Sequence, residues 1–185
     1  TSIAVRSTGF PIISYRDATN GDLKVYDCSN ASCSAGTART LDSTGDVGEH
    51  TSIAVRSTGF PIISYFGLTN QDLKVFDCSN ASCSAGTART LDSTGTVGQY
   101  TSIAVRSTGF PIISYYDITN GDLKVYDCSN ASCSAGTART LDSTGAVGYT
   151  TSIAVRSTGF PIISYYDITN GDLKVFSCGD ERCAK

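Results

Sequence analysis

Several residue types and patterns are missing from this chain, and each absence argues against a class of protein. The 185 residues include no Met, no Trp and a single His. No apolar run approaches the roughly 20 residues that a membrane-spanning helix needs, so we expect no membrane insertion. Because Met is absent, we expect the chain to be a processed product or a segment of a longer one.

An excess of positive charge and the common catalytic motifs are also missing. The net charge is −3 and no basic block occurs, which argues against nucleic-acid binding through phosphate neutralisation. There is no nucleophile elbow, phosphate-cradling glycine loop or dinucleotide fingerprint. His50 is the only histidine and has no fixed Ser or Cys partner, so it is weak support for acid–base catalysis. We therefore predict that the protein is not an enzyme.

A 50-residue repeat dominates what is present. The segment TSIAVRSTGFPIISY begins at Thr1, Thr51, Thr101 and Thr151. A period of about 20–50 residues is typical of solenoids, propellers and arrays. We interpret residues 1–185 as one array, with units at 1–50, 51–100, 101–150 and 151–185, of which the last lacks its outer strand.

Alternating and β-branched runs predict four strands in each complete unit. In the first unit these runs are Ser2–Arg6, Phe10–Asp17, Leu23–Cys28 and Ala38–Asp42. Asn20-Gly21 between the second and third runs favours a type I′ hairpin. The pattern predicts an all-β fold, a β-propeller of four near-identical, four-stranded antiparallel blades. An open β-solenoid and a string of small sheets are the alternatives.

The repeat resembles a known type of blade. The run TSIAV…GFPIISYYD-x-TNGDLKV, followed by TLDSTGxVG, is similar to a blade repeat of bacterial β-propeller proteins of uncharacterised, secreted type. The resemblance covers essentially the whole chain and implies a propeller fold. It implies little about activity, because propellers carry many functions. The cysteine pairs and the lack of Trp depart from the usual blade.

The eight cysteines form four C-x4-C pairs, which predict local disulfides and an oxidising compartment, extracellular or at the cell surface. We expect each bridge to staple its own turn independently of the others. Structural zinc is the alternative, but each pair supplies only two of the four usual ligands. The pairs are Cys28/Cys33, Cys78/Cys83, Cys128/Cys133 and Cys178/Cys183.

Differences between the copies cluster near the second hairpin and the link to the next unit. Blade topology places both at one end of the sheets and the constant cysteine loops at the other. Drift after duplication is one explanation, and a binding face diversified on a rigid scaffold is the other. Aromatic rings there could stack on sugars or pack on a partner. The candidate ligand-face residues are Arg16, Phe66, Tyr116, Tyr166, His50, Tyr100 and Tyr149.

Two further motifs bear polar ligands. Asp17, Asn20 and Asp22 bring hard oxygen atoms together, so calcium is conceivable, although a tight turn explains them without a cofactor. The N-x-S sequence within each of the first three cysteine loops makes its asparagine a candidate for N-glycosylation, with a polar turn as the alternative. These asparagines are Asn30, Asn80 and Asn130.

The fourth unit is predicted to expose the edge of its third strand, and exposed edges recruit other chains. We predict a non-enzymatic extracellular scaffold for binding or adhesion through one loop face, with self-association or a glycan or protein ligand as its partner. One alternative is a structural subunit of a self-assembling fibre or surface layer, joined through the fourth unit. A designed or consensus propeller without a ligand is the other.

Overall fold

A computed structural model, which describes residues 1–184, contains four antiparallel sheets and no helix within that range. The first sheet consists of β1 (Ser2–Val5), β2 (Pro11–Asp17), β3 (Asp22–Cys28) and β4 (Gly36–Asp42). The second consists of β5 (Val47–Val55), β6 (Pro61–Gly67), β7 (Asp72–Cys78) and β8 (Gly86–Asp92). The third consists of β9 (Val97–Val105), β10 (Pro111–Asp117), β11 (Asp122–Cys128) and β12 (Gly136–Asp142). The fourth consists of β13 (Val147–Val155), β14 (Pro161–Asp167) and β15 (Asp172–Ser177).

Each sheet follows chain order, which confirms the all-β class and one sheet per repeat. The first strands of the second, third and fourth sheets, β5, β9 and β13, are nine residues long. β5 begins at Val47 rather than at Thr51, where the sequence repeat restarts. The fourth sheet has three described strands, so β15 is its edge. No helix among residues 1–184 is long and apolar enough to cross a membrane.

The hairpin between the second and third strands is a four-residue loop, and the predicted type I′ turn is wrong. Asp17 pairs with Asp22, and the amide of Gly21 donates to the Asp17 carbonyl at 2.8 Å. A type I′ turn needs positive φ at both central residues, but of Asn20 and Gly21 only Gly21 is left-handed, with φ of 72°. The Asp17 carboxylate accepts hydrogen bonds from Thr19 N at 3.1 Å and Asn20 Nδ2 at 3.0 Å, which stabilise the longer loop.

Alternating side chains give each sheet two apolar faces. We call the face turned toward the next sheet along the chain the forward face, and the opposite one the backward face. Ile12, Leu23 and Val25 on the forward face of the first sheet share one buried cluster with Ile53 and Tyr65 on the backward face of the second. Equivalent clusters join the second sheet to the third and the third to the fourth. The core therefore lies between repeats, so each repeat depends on its neighbours.

Short polar contacts join the first strand of one sheet to the preceding sheet inside this core. Thr51 Oγ1 donates to Ser14 Oγ at 2.9 Å, and the amide of Ile53 donates to Ser2 Oγ at 3.2 Å. These bonds satisfy hydroxyl groups that burial would otherwise leave without partners. They also set the register of one sheet on the next.

The cysteine loops are closed by disulfides, as predicted. The paired Cα atoms lie 4.8–4.9 Å apart in all four loops, within the range that a disulfide requires. No cysteine among the described residues is left for zinc. The bridges are Cys28–Cys33, Cys78–Cys83, Cys128–Cys133 and Cys178–Cys183.

Each bridge closes its own turn, and the last three also pack against the preceding sheet. Cys83 is 1% exposed, Cys133 is 0% exposed and Cys183 is 3% exposed, because each belongs to the apolar cluster between its own sheet and the preceding one. Cys33 is only half-buried, since no sheet precedes the first. Three of the four disulfides are therefore part of the packing between repeats.

The second cysteine of each pair also has a backbone conformation that its spacing did not reveal. The values of φ lie in the left-handed region that few residues other than glycine adopt. The amide of this cysteine donates to the carbonyl three residues earlier, as Cys33 does to Asn30 at 3.1 Å, which closes a tight turn. The φ values are 53° for Cys33, 52° for Cys83, 51° for Cys133 and 50° for Cys183.

An arginine binds each of the first three disulfide loops to its own sheet and to the next one. Arg6 donates to the carbonyl of Cys28 at 2.7 Å and to that of Ala81, in the following repeat, at 3.4 Å. Its guanidinium also pairs with Asp27 at 2.7 Å. Arg56 and Arg106 make the equivalent bonds.

Candidate ligand-binding face

The predicted ligand-face residues lie at one end of the sheets. This is the end at which β5, β9 and β13 begin, after the link from the preceding repeat. Glu49 pairs with Phe66 and Ser52 with Ser64, so β5 has one residue more than β6 between the two pairs. This is a β-bulge, a feature that re-aims side chains and is over-represented beside functional sites. The same shift occurs in β9 and β13.

The residue inside each bulge adopts a left-handed backbone conformation. His50, Tyr100 and Thr150 have φ of 49°, 51° and 48°. This conformation costs a non-glycine residue on the order of 1 kcal/mol or more, and such residues concentrate at functional sites. Three successive repeats therefore carry the same local strain, and two of them use it to hold a ring.

Rings from different repeats form a continuous series, which we call the aromatic row: His50, Tyr100, Tyr149 and Tyr166. Ring centroids are 4.2 Å apart for His50 and Tyr100, 4.1 Å for Tyr100 and Tyr149, and 6.5 Å for Tyr149 and Tyr166. The hydroxyl groups of Tyr100 and Tyr149 are hydrogen-bonded to each other. Since Tyr149 comes from the position before the bulge residue, the row continues where the third repeat has Thr150.

Two of the predicted ligand-face aromatics lie beneath the row instead of on its surface. Phe66 is 1% exposed and Tyr116 is 8% exposed, whereas Tyr166 is 40% exposed. The Phe66 ring lies 6.4 Å from His50, and Tyr116 packs edge-on against Tyr149 at 5.9 Å. Phe66 and Tyr116 therefore support the row, and the half-buried and exposed rings above them are available to a ligand.

Arg16, the equivalent of Phe66 in the first repeat, belongs to an ion-pair cluster. Its guanidinium donates to Asp46 Oδ1 at 2.7 Å and 2.9 Å, and lies 3.5 Å from Glu49 Oε1. The cluster is half-buried, and it replaces aromatic packing with charge at the first-repeat end of the same face.

An open depression of about 320 Å³ adjoins the aromatic row. Hydroxyl side chains dominate its lining, which consists of His50, Tyr100, Thr1, Thr51, Thr101, Thr150 and Thr151. Thr51 and Thr101 each donate their hydroxyl proton to a serine of the preceding sheet at 2.9 Å. Both are buried, whereas Thr1 and Thr150 are exposed, and a hydroxyl oxygen can accept hydrogen bonds as well as donate one.

Burial disfavours the charged forms of Tyr100 and His50 in the row. Burial, followed by the hydrogen bond with Tyr149, raises the pKa of Tyr100 to about 12. Burial lowers the pKa of His50, and the charge of Glu49 opposes this only in part. The row itself contains no carboxylate, lysine or arginine side chain, unlike the neighbouring Arg16 cluster.

Two of the residues proposed for calcium, Asp17 and Asn20, already form hydrogen bonds or an ion pair within the protein. Lys24 Nζ lies 3.4 Å from Asp17 Oδ2, the same oxygen that accepts from Asn20. The hydrogen bond from Asn20 is the main reason that the pKa of Asp17 is lowered. No group of three or more His, Cys, Asp or Glu side chains suited to a metal ion occurs among residues 1–184.

The asparagines proposed for glycosylation stabilise the disulfide loops. Asn30 Oδ1 accepts from Ser34 N at 3.1 Å and from Ser32 Oγ at 3.0 Å, and Asn30 Nδ2 donates to Ser34 Oγ at 3.0 Å. Asn80 and Asn130 make the same bonds. These contacts give the repeated letters of the loop a structural role, and glycosylation stays a prediction.

Sequence reasoning missed an ionic contact that crosses each repeat boundary. Asp42 Oδ2 accepts from Tyr65 Oη at 2.7 Å and from Lys74 Nζ at 2.6 Å, both in the next sheet. Asp92 and Asp142 do the same one and two repeats later. The sequence does contain a sign of this contact, because the Tyr, Lys and Asp recur at fixed offsets. Strand patterns within one repeat do not reveal it, since the contact joins two sheets.

These features define an all-β repeat protein with disulfide-bonded loops and an aromatic face. No family model and no curated protein matches the sequence. A protein of unknown function from Dyadobacter fermentans is similar in structure, with a TM-score of 0.69 and 11% identity over 94% of this chain and 50% of that one. A puromycin hydrolase has a TM-score of 0.56 and 14% identity over 97% of this chain and 30% of that one. A protein of unknown function from Bacteroides caccae has a TM-score of 0.53 and 9% identity over 97% of this chain and 61% of that one.

The chain thus spans half the length of the first of these structures and 30% of the second. At such identities the likeness concerns the fold alone.

Proposed function

We propose that the four sheets are blades of a β-propeller-type arrangement and that the protein is a non-enzymatic binding scaffold. Successive sheets pack forward face on backward face, and the same threonine–serine contact joins the first strand of each later sheet to the second strand of the sheet before it. Both features are what blades arranged about a common axis require. The four disulfides support an extracellular or cell-surface location, because disulfides persist in oxidising compartments.

The observation that carries the binding proposal is the aromatic row. Its members come from different repeats, they differ from copy to copy, and the bulges that hold them recur at the same place. A purely structural link has no need of left-handed His50 and Tyr100, because glycine adopts that conformation without strain. The stored strain is consistent with selection for the side chains themselves.

The chemistry of the face suits a neutral polyhydroxylated ligand, and we propose a glycan. Aromatic rings offer large apolar faces with a polar handle at each tyrosine hydroxyl. The adjoining threonines supply hydrogen-bond acceptors within the same open depression. Because the row contains no carboxylate, lysine or arginine side chain, binding should depend little on salt, unlike the recognition of an anionic ligand.

Binding to a glycan array, compared between the native chain and Tyr166→Ala, tests this proposal. Tyr166 is 40% exposed and ends the row, so its removal should weaken binding about tenfold without unfolding the sheet. Phe160→Ala is the matched control, because Phe160 is 37% exposed but lies at the opposite end of the strands. The proposal fails if no glycan binds, or if the two variants weaken binding equally.

A further inference from the structure

The two terminal sheets leave open the faces that every internal sheet buries. Leu23, Leu73 and Leu123 on the forward faces are all 0% exposed, but Leu173 at the same position of the fourth sheet is 78% exposed. Val175 is 56% exposed, whereas its three equivalents are 0% exposed. The forward face of the fourth sheet is thus an apolar surface that elsewhere in the molecule always lies in the core.

The backward face of the first sheet is open in the complementary way. Ile3 is 61% exposed, whereas its equivalents Ile53, Ile103 and Ile153 are 6–8% exposed. Val5, one pleat along the same strand, is 63% exposed. Residues 1–184 therefore present two different open faces, and each is the counterpart of the other.

Polar groups on the two faces are matched as well. Ser152 and Ser164, the equivalents of the Ser2 and Ser14 acceptors, line a cavity of about 210 Å³ with Ile162 and Val175 on the open forward face. Between internal sheets, the donors to these serines are a threonine hydroxyl and an isoleucine amide of the next sheet. Thr1 and Ile3 occupy those positions on the open backward face.

We propose that a second copy of this chain covers the forward face of the fourth sheet with the backward face of its own first sheet. This contact goes beyond the glycan proposal and uses a different surface, so either can fail alone. It is head-to-tail and repeats the internal sheet packing between two chains. Because each copy has one face of each kind, two copies can bury both pairs by closing on each other.

The interface between copies is smaller than the internal ones. Internal packing also includes Leu41 of β4 and Val47 of β5. The fourth sheet has no described counterpart of Leu41, and the first sheet has none of Val47. Association should therefore depend on protein concentration. We expect a species of twice the 19.4 kDa chain mass to form as concentration rises.

Sedimentation equilibrium of three variants tests the contact. Val175→Glu on the forward face and Ile3→Glu on the backward face each place a carboxylate in the proposed interface, so each should weaken association at least tenfold. Both side chains are largely exposed in the single chain, so the fold should survive, and circular dichroism checks this. Ile118→Glu is the matched control, since Ile118 is 38% exposed in a hairpin away from both faces, and it should associate like the native chain.

Mixing the two interface variants tests the head-to-tail geometry. The Ile3→Glu chain keeps an intact forward face and the Val175→Glu chain an intact backward face, so an equimolar mixture should recover one good contact and associate. A native chain that stays monomeric at all accessible concentrations overturns the proposal. Disruption by only one of the two variants also overturns it, because it indicates contact between two identical faces.

Discussion

The two ends of the strands are built on different principles. At the cysteine-loop end, residues 28–45 are identical in the first three copies, and at the link end most of the differences accumulate. The contacts explain this contrast. At the constant end, Arg56 binds the carbonyl of Cys78 in its own sheet at 2.8 Å and that of Ala131 in the next sheet at 3.0 Å. One arginine thus ties two repeats together through backbone carbonyls and an aspartate of its own sheet. Each copy keeps the arginine, whereas the residue that offers the carbonyl in the next sheet can change, as it does at Glu181.

At the link end, the partners are side chains that change together. Arg16 pairs with Asp46 in the first repeat, and in the second Thr96 Oγ1 donates to Gln71 Oε1 at 2.7 Å. A side-chain pair can be replaced by another pair without altering the sheet. The comparison shows that this fold keeps its repeats in register at one end and is free to vary chemistry at the other.

The sharpest test of the constant end is Arg106→Ala. Arg106 is 5% exposed, donates to the carbonyl of Cys128 at 2.6 Å and pairs with Asp127 at 2.9 Å. Its removal leaves buried acceptors without a donor, and we expect a loss of about 3 kcal/mol in the free energy of unfolding. Urea denaturation followed by circular dichroism measures the change.

Arg156→Ala is the control for that prediction. Arg156 donates to the carbonyls of Phe160 and Cys178 in its own sheet, and no following cysteine loop exists in the described chain. We expect a loss of about 1 kcal/mol. Equal losses for the two variants would show that the contact between repeats adds nothing to the free energy of unfolding.

Acid should weaken the ion pair that Asp42, Asp92 and Asp142 each form with a lysine of the next sheet. Burial opposes ionisation of Asp142, but hydrogen bonds from Lys174 and Tyr165 outweigh it and lower its pKa to about 2. The folded pKa lies below the ordinary value, so the stabilisation is complete above pH of about 4 and is lost as the pH falls toward 2. We expect Asp142 to contribute roughly 2 kcal/mol to this loss. The unfolding free energy, followed from pH 6 to pH 2, should fall less steeply in Asp142→Asn than in the native chain.

Reduction of the disulfides should act mainly on the constant end. The Cys78–Cys83 bridge closes a loop with a sequence separation of 5, so the chain-entropy model gives about 2 kcal/mol. A Cys78→Ser, Cys83→Ser variant should melt at a lower temperature than the native chain under oxidising conditions, and the two should converge partly in reductant. If the aromatic row binds as proposed, the affinity of this variant for its glycan should stay unchanged below the melting temperature.

The smallest effect is expected at the link end. Gln71 has φ of 60° where the other repeats have glycine, and glycine adopts this conformation at less cost. Gln71→Gly should therefore raise the free energy of unfolding by about 0.5 kcal/mol, less the lost bond to Thr96. A clear destabilisation, measured by the same urea titration, would mean that the variable end is also under structural constraint.

Several features could be predicted because they depend on neighbours in sequence. The strands follow alternating runs, and the C-x4-C spacing places its cysteines within bonding range whatever the surrounding fold. Placement of the variable residues at one end also followed, since it needs only the order of four strands in an antiparallel sheet. The predicted type I′ turn failed because the pairing of Asp17 with Asp22 decides the loop length, and pairing is a property of two strands.

Burial and partner choice were beyond the sequence, because they depend on the sheets before and after. Arg16, Phe66 and Tyr116 share one position in the repeat, yet the first forms an ion pair and the other two are buried. Asp27, which recurs in three repeats, pairs with Arg6 of the same sheet at 2.7 Å. Cys33 and Cys133 likewise share one local sequence, but only Cys133 has a preceding sheet to bury it.

The amino-acid sequence by itself determined the repeat, the strands and the disulfides of this protein, because each arises from interactions within about 50 residues of chain. Only the tertiary structure decided which rings join into a row and which faces stay open. Those outcomes depend on how one sheet stacks on the next, and near-identical repeats acquire different surroundings from their place in the stack. Leu23 and Leu173 have the same local sequence, and the presence or absence of a following sheet makes one a core residue and the other a surface residue.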